Sequence, residues 1–226
     1  MLTYIRKVDP FPDPKAVDRE VDECQCDGGC ECHCIAFGAD LSVKRLKEAY
    51  SKGIFPFFEA DSPVPFWSCP LDRFVIFPNE IHVSHSMRTL LNSGRYAVTF
   101  NTQFQQVILN CALAQDRIDE EGAWLGEDMI RAYTTLHNRG FAKSVEVWQG
   151  DVLVGGLYGV TLRGCFFGES MFSLAPSASK VALIALARKM EAEGGKMIDC
   201  QFETPHLLSM GGRHISYDEY MAIVNS

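Results

Sequence analysis

The runs SVEVWQ (144–149), VLVGGLYGV (152–160) and CFFGES (165–170), followed by SASKVALIALARKMEAEGG (177–195) and KMIDCQ (196–201), decide the fold. The first three are apolar, rich in β-branched and aromatic residues, and joined by short turns at Gly150-Asp151 and Leu162-Arg163-Gly164. Connections that short join antiparallel neighbours, so the three form a meander. The fourth run starts on Ser, carries the basic pair Arg188-Lys189 late and ends on Gly194-Gly195, which are the start and stop signals of a helix. KMIDCQ reads as a further strand. The order β-β-β-α-β predicts an α+β protein with a mostly antiparallel sheet flanked by helices.

Working outward, RFVIF (73–77) reads as a strand, and IHVSHSMRTLLNSG (81–94) passes from strand to helix around Ser84. A short strand over 96–100 precedes the helical FQQVILNCALAQ (104–115) and the amphipathic EDMIRAYTTLHNRG (127–140), with Met129, Ile130, Tyr133 and Leu136 on one face. Towards the N-terminus, Asp40-Leu41-Ser42 caps a helix over VKRLKEAYSKG, with Leu41, Leu46, Ala49 and Tyr50 inward and Gly53 ending it. GIFPFF (53–58) and PVPFWSCPLDR (63–73) read as a loop dense in Pro and aromatics. Residues 9–34 have neither periodicity and read as an irregular arm. There are no internal repeats.

With 226 residues, 47% hydrophobic and 22% charged, the chain can bury a sizeable core. No apolar run approaches the roughly 18 residues of a membrane span, and MLTYIRKVDPFPDP lacks a secretory apolar segment, so a soluble, cytoplasmic protein is expected. The net charge of −8 excludes a surface that is basic all over. Half of that charge sits in residues 1–34, leaving room for a local basic patch, and Lys44, Arg45, Lys47 and Lys52 are the first candidate.

In KMIDCQ, period 2 places Ile198 and Cys200 on one face and Asp199 and Gln201 on the other. A carboxylate there can orient the carboxamide by hydrogen bonding; the same pattern also describes an ordinary solvated strand end. Glu169 sits where a strand leaves the sheet ahead of a helix, a place suited to binding and equally to a solvated turn glutamate. Tyr50, Phe55, Phe57, Phe58, Phe66, Trp67, Trp124 and Tyr133 can stack on nucleobases or simply fill the core. CQCDGGCECHC places Cys24, Cys26, Cys30, Cys32, Cys34 and His33 within eleven residues. That stretch is either a zinc or iron–sulfur site, although the spacing is not that of a zinc knuckle, or a reduced thiol-rich arm. His82 and His85, spaced i,i+3, are not expected to form a second metal site.

Read together, GIFPFF, W-x-C-P-x-x-R (67–73), HVS-x-S-M-R (82–88), GAWL (122–125), M-x-x-AY-x-x-LH-x-x-G (129–140), SVEVW, LVGGLYG, GESMFS, SASK and IDCQ with TPHLLSMGG resemble the leucyl/phenylalanyl-tRNA–protein transferases from about Ala39 onward. The resemblance implies a small N-terminal domain (1–75, including the arm 24–34) and a GNAT-like catalytic domain (76–226). It implies transfer of leucine or phenylalanine, and methionine less well, from aminoacyl-tRNA to proteins with N-terminal Arg or Lys, creating an N-end rule degradation signal. Asp199 and Gln201 match the catalytic D-C-Q pair and Glu169 the glutamate of GESMF, with Gln201, oriented by Asp199, receiving or positioning the acceptor amine. Leu157, Phe166, Met171 and Leu183 match the side-chain pocket, beside Ser170 and Tyr133, and Trp124 a tryptophan on the terminal adenosine. No cofactor is required, because the ester is already activated. The partners expected are aminoacyl-tRNA and acceptor proteins, with no membrane, for a monomeric enzyme.

Three departures bear on this reading. Phe57 stands where many members carry a second adenosine-contacting tryptophan, His85 replaces the arginine of HVSRS, and the following helix offers only Arg88 and Arg95 to tRNA. Weaker or more salt-sensitive docking follows, since phosphate contacts dominate such affinity. The cysteine arm lies outside the family pattern. Competing readings are a relative with altered donor or acceptor preference, such as Asp or Glu N-termini, and an acetyl-CoA-dependent GNAT enzyme. SMFSLAPSASK lacks the glycine-rich pyrophosphate loop of the latter. A metal-sensing or RNA-binding protein built on the arm is the non-catalytic alternative.

Overall fold

Period-2 apolar runs and capped helical segments give the following order in a computed structural model that describes residues 2–17, 33–58, 60, 62–115 and 125–226. The chain runs β1 (Thr3–Ile5), β2 (Cys34–Gly38), α1 (Val43–Tyr50), β3 (Phe55–Pro56), β4 (Phe66–Ser68) and β5 (Asp72–Ile76). A 3-10 turn (Pro78–Glu80) leads to α2 (His85–Asn92), β6 (Ala97–Phe100), α3 (Phe104–Gln115) and α4 (Glu127–Asn138). The meander β7 (Ala142–Gln149), β8 (Val152–Leu162) and β9 (Cys165–Ser173) follows, then α5 (Ala178–Ala192) and β10 (Met197–Gln201). α6 (Pro205–Ser209), β11 (Arg213–Ser216) and α7 (Tyr217–Asn225) complete it.

The α+β class and the β-β-β-α-β core are as expected. One sheet has the order β11-β5-β10-β9-β8-β7-β6 and the other β1-β2-β4-β3. In the large sheet only β9 and β10 pair parallel, because α5 crosses between them. α5 buries Val181, Leu183, Ile184 and Leu186 against Val145, Leu157, Phe166 and Ile198. Each such aliphatic side chain stabilises the fold by about 1.5–3 kcal/mol. The opposite face of the sheet is covered by α1, α3, α4 and α7 through Tyr50, Ile108, Tyr133 and Tyr220. That face carries the polar site.

Several expectations are corrected. The segment expected to be an aromatic loop contributes β3 and β4, paired antiparallel, to the small sheet. Residues 81–83 form no strand; His82 donates its N–H to the Met210 carbonyl, and α2 begins at His85 with Ser84 accepting from Met87 N. The C-terminal end of the expected irregular arm, Cys34, opens β2, while residues 18–32 lie outside the described residues. β5 (Asp72–Ile76) belongs to the large sheet, between β11 and β10. The first candidate basic patch is only partly free: Lys44 is exposed, whereas Lys47 lies over the Phe141 ring. Arg45 is buried, stacks 3.6 Å over Phe11 and bonds the Asp9 carbonyl and Glu48, which also pairs Lys52.

Candidate active site

The polar face of β10 begins with Asp199, which is fully buried among apolar strands and therefore needs partners for both carboxylate oxygens. Arg73 on β5 supplies a bidentate pair, Nε to Oδ1 at 2.9 Å and Nη2 to Oδ2 at 2.7 Å. Tyr220 of α7 adds its hydroxyl to Oδ2 at 2.7 Å. Burial works against the charge of Arg73, but Asp199 and Tyr220 outweigh it and hold the guanidinium more firmly protonated than usual. The remaining Arg73 nitrogen, Nη1, has no hydrogen-bond partner, and the rings of Phe55 and Tyr220 each lie 4.8 Å from the guanidinium carbon.

Asp199 also fixes Gln201, though not through the carboxamide as expected. Its Oδ1 accepts the main-chain N–H of Gln201 at 2.9 Å. The register against β5 slips between these two residues, leaving Cys200 as the extra residue of a bulge, and Gln201 adopts φ 65°. That left-handed backbone is strained for a residue with a side chain, and the Asp199 bond helps to hold it. The carboxamide is oriented instead by Glu169, with Nε2 donating to Oε1 at 3.4 Å. Committing the NH₂ end to Glu169 leaves the carbonyl oxygen of Gln201 to an incoming donor.

Glu169 owes its position to a second bulge. β8 and β9 pair Tyr158 with Ser170 and Gly159 with Gly168, so Glu169 is the unpaired residue between them. Its carboxylate enters the polar face, where Tyr50 of α1 donates to Oε1 and Tyr133 of α4 to Oε2, both at 2.7 Å. The two phenol oxygens also touch each other. Burial pushes the Glu169 carboxyl up to about 7; the tyrosine bonds oppose that rise, Asp199 adds to it and Arg73 subtracts. Pairing of β9 with β10 spans Cys165–Phe167 and Met197–Asp199, so Glu169 and Gln201 both lie past the last paired residues, where the two strands part.

The other expected residues fall as follows. Leu157, Phe166 and Leu183 are buried in one cluster with Met171 packed against it, on the α5 side of the sheet, across from Glu169. Ser170 bonds the Cys111 thiol of α3. Tyr133 is fully buried and offers no stacking face; its hydroxyl is spent on Glu169 and Tyr50. Phe57 is 45% exposed and belongs to an aromatic patch with Phe55, Phe202 and His33 next to Gln201, its ring 5.7 Å from that of Phe202. Trp124 lies outside the described residues. Arg88 and Arg95 are exposed on and just after α2. Cys24, Cys26, Cys30 and Cys32 lie outside the described residues, while Cys34 is in β2 with Sγ 3.6 Å from the Ala36 carbonyl. Among the described residues no group of three or more His, Cys, Asp or Glu is placed to hold a metal ion.

Sequence reasoning missed Arg73, Tyr220 and the role of Tyr50. Tyr50 reads as an inward residue of an amphipathic helix, with nothing to separate a core ring from a hydroxyl aimed at a carboxylate. An arginine opening an otherwise apolar strand, RFVIF, was the available signal for a buried counter-charge.

A buried carboxyl bonded to an oriented carboxamide, at the parting of two parallel strands with an apolar cluster across them, is an arrangement suited to an acyl-transfer enzyme. The family models for leucyl/phenylalanyl-tRNA protein transferase and its N-terminal domain match residues 75–225 and 39–70. The chain belongs to the leucyl/phenylalanyl-tRNA–protein transferase family, and it is an aminoacyltransferase. It is 48% identical to the leucyl/phenylalanyl-tRNA–protein transferase of Flavobacterium johnsoniae over 85% of this chain and 90% of that one. The same identity holds for the enzymes of Nitrosomonas eutropha, over 80% of this chain and 76% of the relative, and Azotobacter vinelandii, over 82% and 81%. Among solved structures, "The structure of L-PGS from Bacillus licheniformis" aligns at TM-score 0.42 and 11% identity over 76% of this chain and 54% of that one, too distant to bear on function.

Proposed function

We propose that this enzyme takes leucine or phenylalanine, and methionine less well, from aminoacyl-tRNA and joins it to the N-terminal Arg or Lys of acceptor proteins, creating an N-end rule degradation signal. The observation that carries the reading is Gln201, whose NH₂ end is committed to Glu169 and whose main chain is fixed by Asp199. Its carbonyl oxygen accepts an N–H of the acceptor α-amine and aims the lone pair at the ester carbonyl. That amine has a pKa of about 7.7–8.0, so a fair share is already neutral near pH 7. The ester is already activated, and the reaction draws on no cofactor. The transferred side chain enters where β9 and β10 part and meets the apolar cluster around Leu157, Phe166, Met171 and Leu183. Such a slot separates side chains differing by one methylene by only about 1–3 kcal/mol, in line with a small set of apolar donors. Phe57, with Trp124, takes the terminal adenosine, and Arg88 and Arg95 take phosphates. No helix among the described residues is long and apolar enough to cross a membrane. The enzyme works as a monomer in the cytoplasm.

The test supplies Leu-tRNA and Phe-tRNA with reporter peptides beginning with Arg, Lys, Asp or Glu and reads the added mass. Addition to the Arg and Lys peptides, lost in Gln201→Ala, is the expected result. Addition to the Asp and Glu peptides alone overturns the acceptor assignment, and an undiminished rate in Gln201→Ala overturns the role of the carboxamide.

A further inference from the structure

Three contacts among four oxygens close a ring in the site: Glu169 Oε1 with the Tyr50 hydroxyl, that hydroxyl with the Tyr133 hydroxyl, and Tyr133 with Glu169 Oε2. Each contact is at hydrogen-bond distance, and each needs one proton to become a bond. The two phenols supply two protons. A third must sit on Glu169 for all three contacts to be bridged, and Gln201 settles where. Oε1 accepts from Gln201 Nε2 and from Tyr50, so the added proton belongs on Oε2, pointing to Tyr133, which then donates to Tyr50. With Glu169 ionised both phenols turn to the carboxylate, and the contact between them is left as two facing lone pairs.

We infer that Tyr50, Tyr133 and Glu169 act as one proton-accepting unit in the transfer reaction, Glu169 taking the proton of the attacking amine and the two buried phenols closing the ring around it. The inference rests on the functional reading above. It answers a need that Gln201 cannot meet, since a carboxamide makes hydrogen bonds but does not take up a proton near neutrality. Asp199 has its oxygens committed to Arg73, Tyr220 and the Gln201 main chain, and Glu169 is the carboxyl bonded to the Gln201 carboxamide.

The step balances. The neutral amine forms its N–C bond to the ester carbonyl carbon, and the carbonyl electron pair moves to oxygen. The nitrogen then gives a proton to Glu169 Oε1 as the proton arrangement of the ring adjusts. The carbonyl re-forms, the bond to the ribose oxygen breaks with its electron pair on that oxygen, and Glu169 passes the proton to it. The ring ends with the two protons it began with. Glu169 is the catalytic group here; Tyr50 and Tyr133 are positioning residues that set its proton affinity. The other groups facing Glu169 are Tyr158 from β8, Cys111 from α3, bonded to Ser170, Asp199 and Gln201 from β10, and Arg73 from β5.

Two measurements test this, one of them independent of activity. Difference infrared spectra of the free protein should show the carbonyl stretch of a protonated carboxylic acid that vanishes as pH rises through about 7, and that is missing from Glu169→Gln. In transfer to an Arg-initiated peptide, Glu169→Gln closes the same ring with amide protons yet lowers kcat by about 100-fold or more, with KM changed only a few-fold. Tyr50→Phe and Tyr133→Phe move the infrared midpoint and the kcat–pH midpoint together; the ionisation of the peptide amine is common to all variants and cancels in the ratio to wild type. A missing acid band at low pH, a Glu169→Gln rate within threefold of wild type, or unmoved midpoints in both phenylalanine variants overturns the proposal. A wild type that shows the acid band but transfers nothing overturns the functional reading instead, and the catalytic role of the ring with it.

Discussion

Asp199 has no solvent exposure, yet it organises three elements at once: β5 through Arg73, α7 through Tyr220 and the turn of its own strand through Gln201 N. Removing the charge leaves a buried guanidinium without its counter-ion, the costly half of a buried pair. Asp199→Asn should therefore lower stability by about 3–5 kcal/mol in denaturant unfolding. Replacing Arg73 and Asp199 together by apolar residues should restore much of that stability without restoring transfer, because Gln201 N stays unheld. A stable and active double variant would show that the pair does not position the site. Glu169 makes the opposite kind of contribution. Its carboxyl lies at about 7 in the folded protein against an ordinary 4.5, so the folded state binds a proton that the unfolded chain has released. The stability this brings is complete below about 4.5 and is lost as pH rises through about 7, on the order of 3 kcal/mol in all. Unfolding free energies of wild type and Glu169→Gln across this window should differ by a term that falls with pH in wild type. A constant difference would place the carboxyl at its ordinary value.

At the scale of elements, the two bulges matter most. Period 2 made the meander legible, because long apolar runs joined by short turns have few other solutions, and the Ser start and Gly-Gly end did the same for α5. It did not reveal that β9 carries an extra residue at Glu169 or that β10 turns at Cys200, since a bulge leaves the composition of a strand unchanged. The small sheet was illegible for a different reason. Its strands are two to five residues long, one contains Pro56, and β1 pairs parallel with β2 across some thirty residues of chain. Local patterning does not report such long-range pairing. The partners of Asp199 were hidden in the same way, since Arg73 and Tyr220 come from distant segments. The bulge at β10 leads to a backbone prediction. At φ 65° glycine carries no side-chain penalty, so Gln201→Gly should be more stable than Gln201→Ala by about 1 kcal/mol while both lose transfer. Equal stability of the two in thermal or denaturant unfolding would mean that residue 201 relaxes out of the left-handed region once the carboxamide is gone.

For the whole molecule the difficulty is charge. A chain of net −8 must hold a polyanion, and it can do so only where its bases are gathered and unpaired. Of the N-terminal candidates, Arg45 is spent on Asp9, Glu48 and the Phe11 ring, Lys52 on Glu48 and Lys47 on the Phe141 ring, which leaves Lys44 exposed by itself rather than in a gathered patch. Arg88 and Arg95 are exposed, and Arg188 of α5 lines a groove of about 450 Å³ with Leu91, Tyr96 and Ile184 beside them, so two distant segments bring bases to one side of the large sheet. If phosphates dock there, each of the three arginines removed should flatten the slope of log affinity against log salt by about one and weaken binding of every tRNA alike. Binding of uncharged tRNA, followed by anisotropy at a series of salt concentrations, would read the slope directly. Gln201→Ala should leave that slope unchanged, since it acts at the reacting end and touches no phosphate. The triple substitution Arg88→Ala, Arg95→Ala and Arg188→Ala should raise KM for aminoacyl-tRNA steeply with salt while kcat at saturation stays close to wild type. An unaltered slope in the triple variant would move the tRNA path off this side of the molecule.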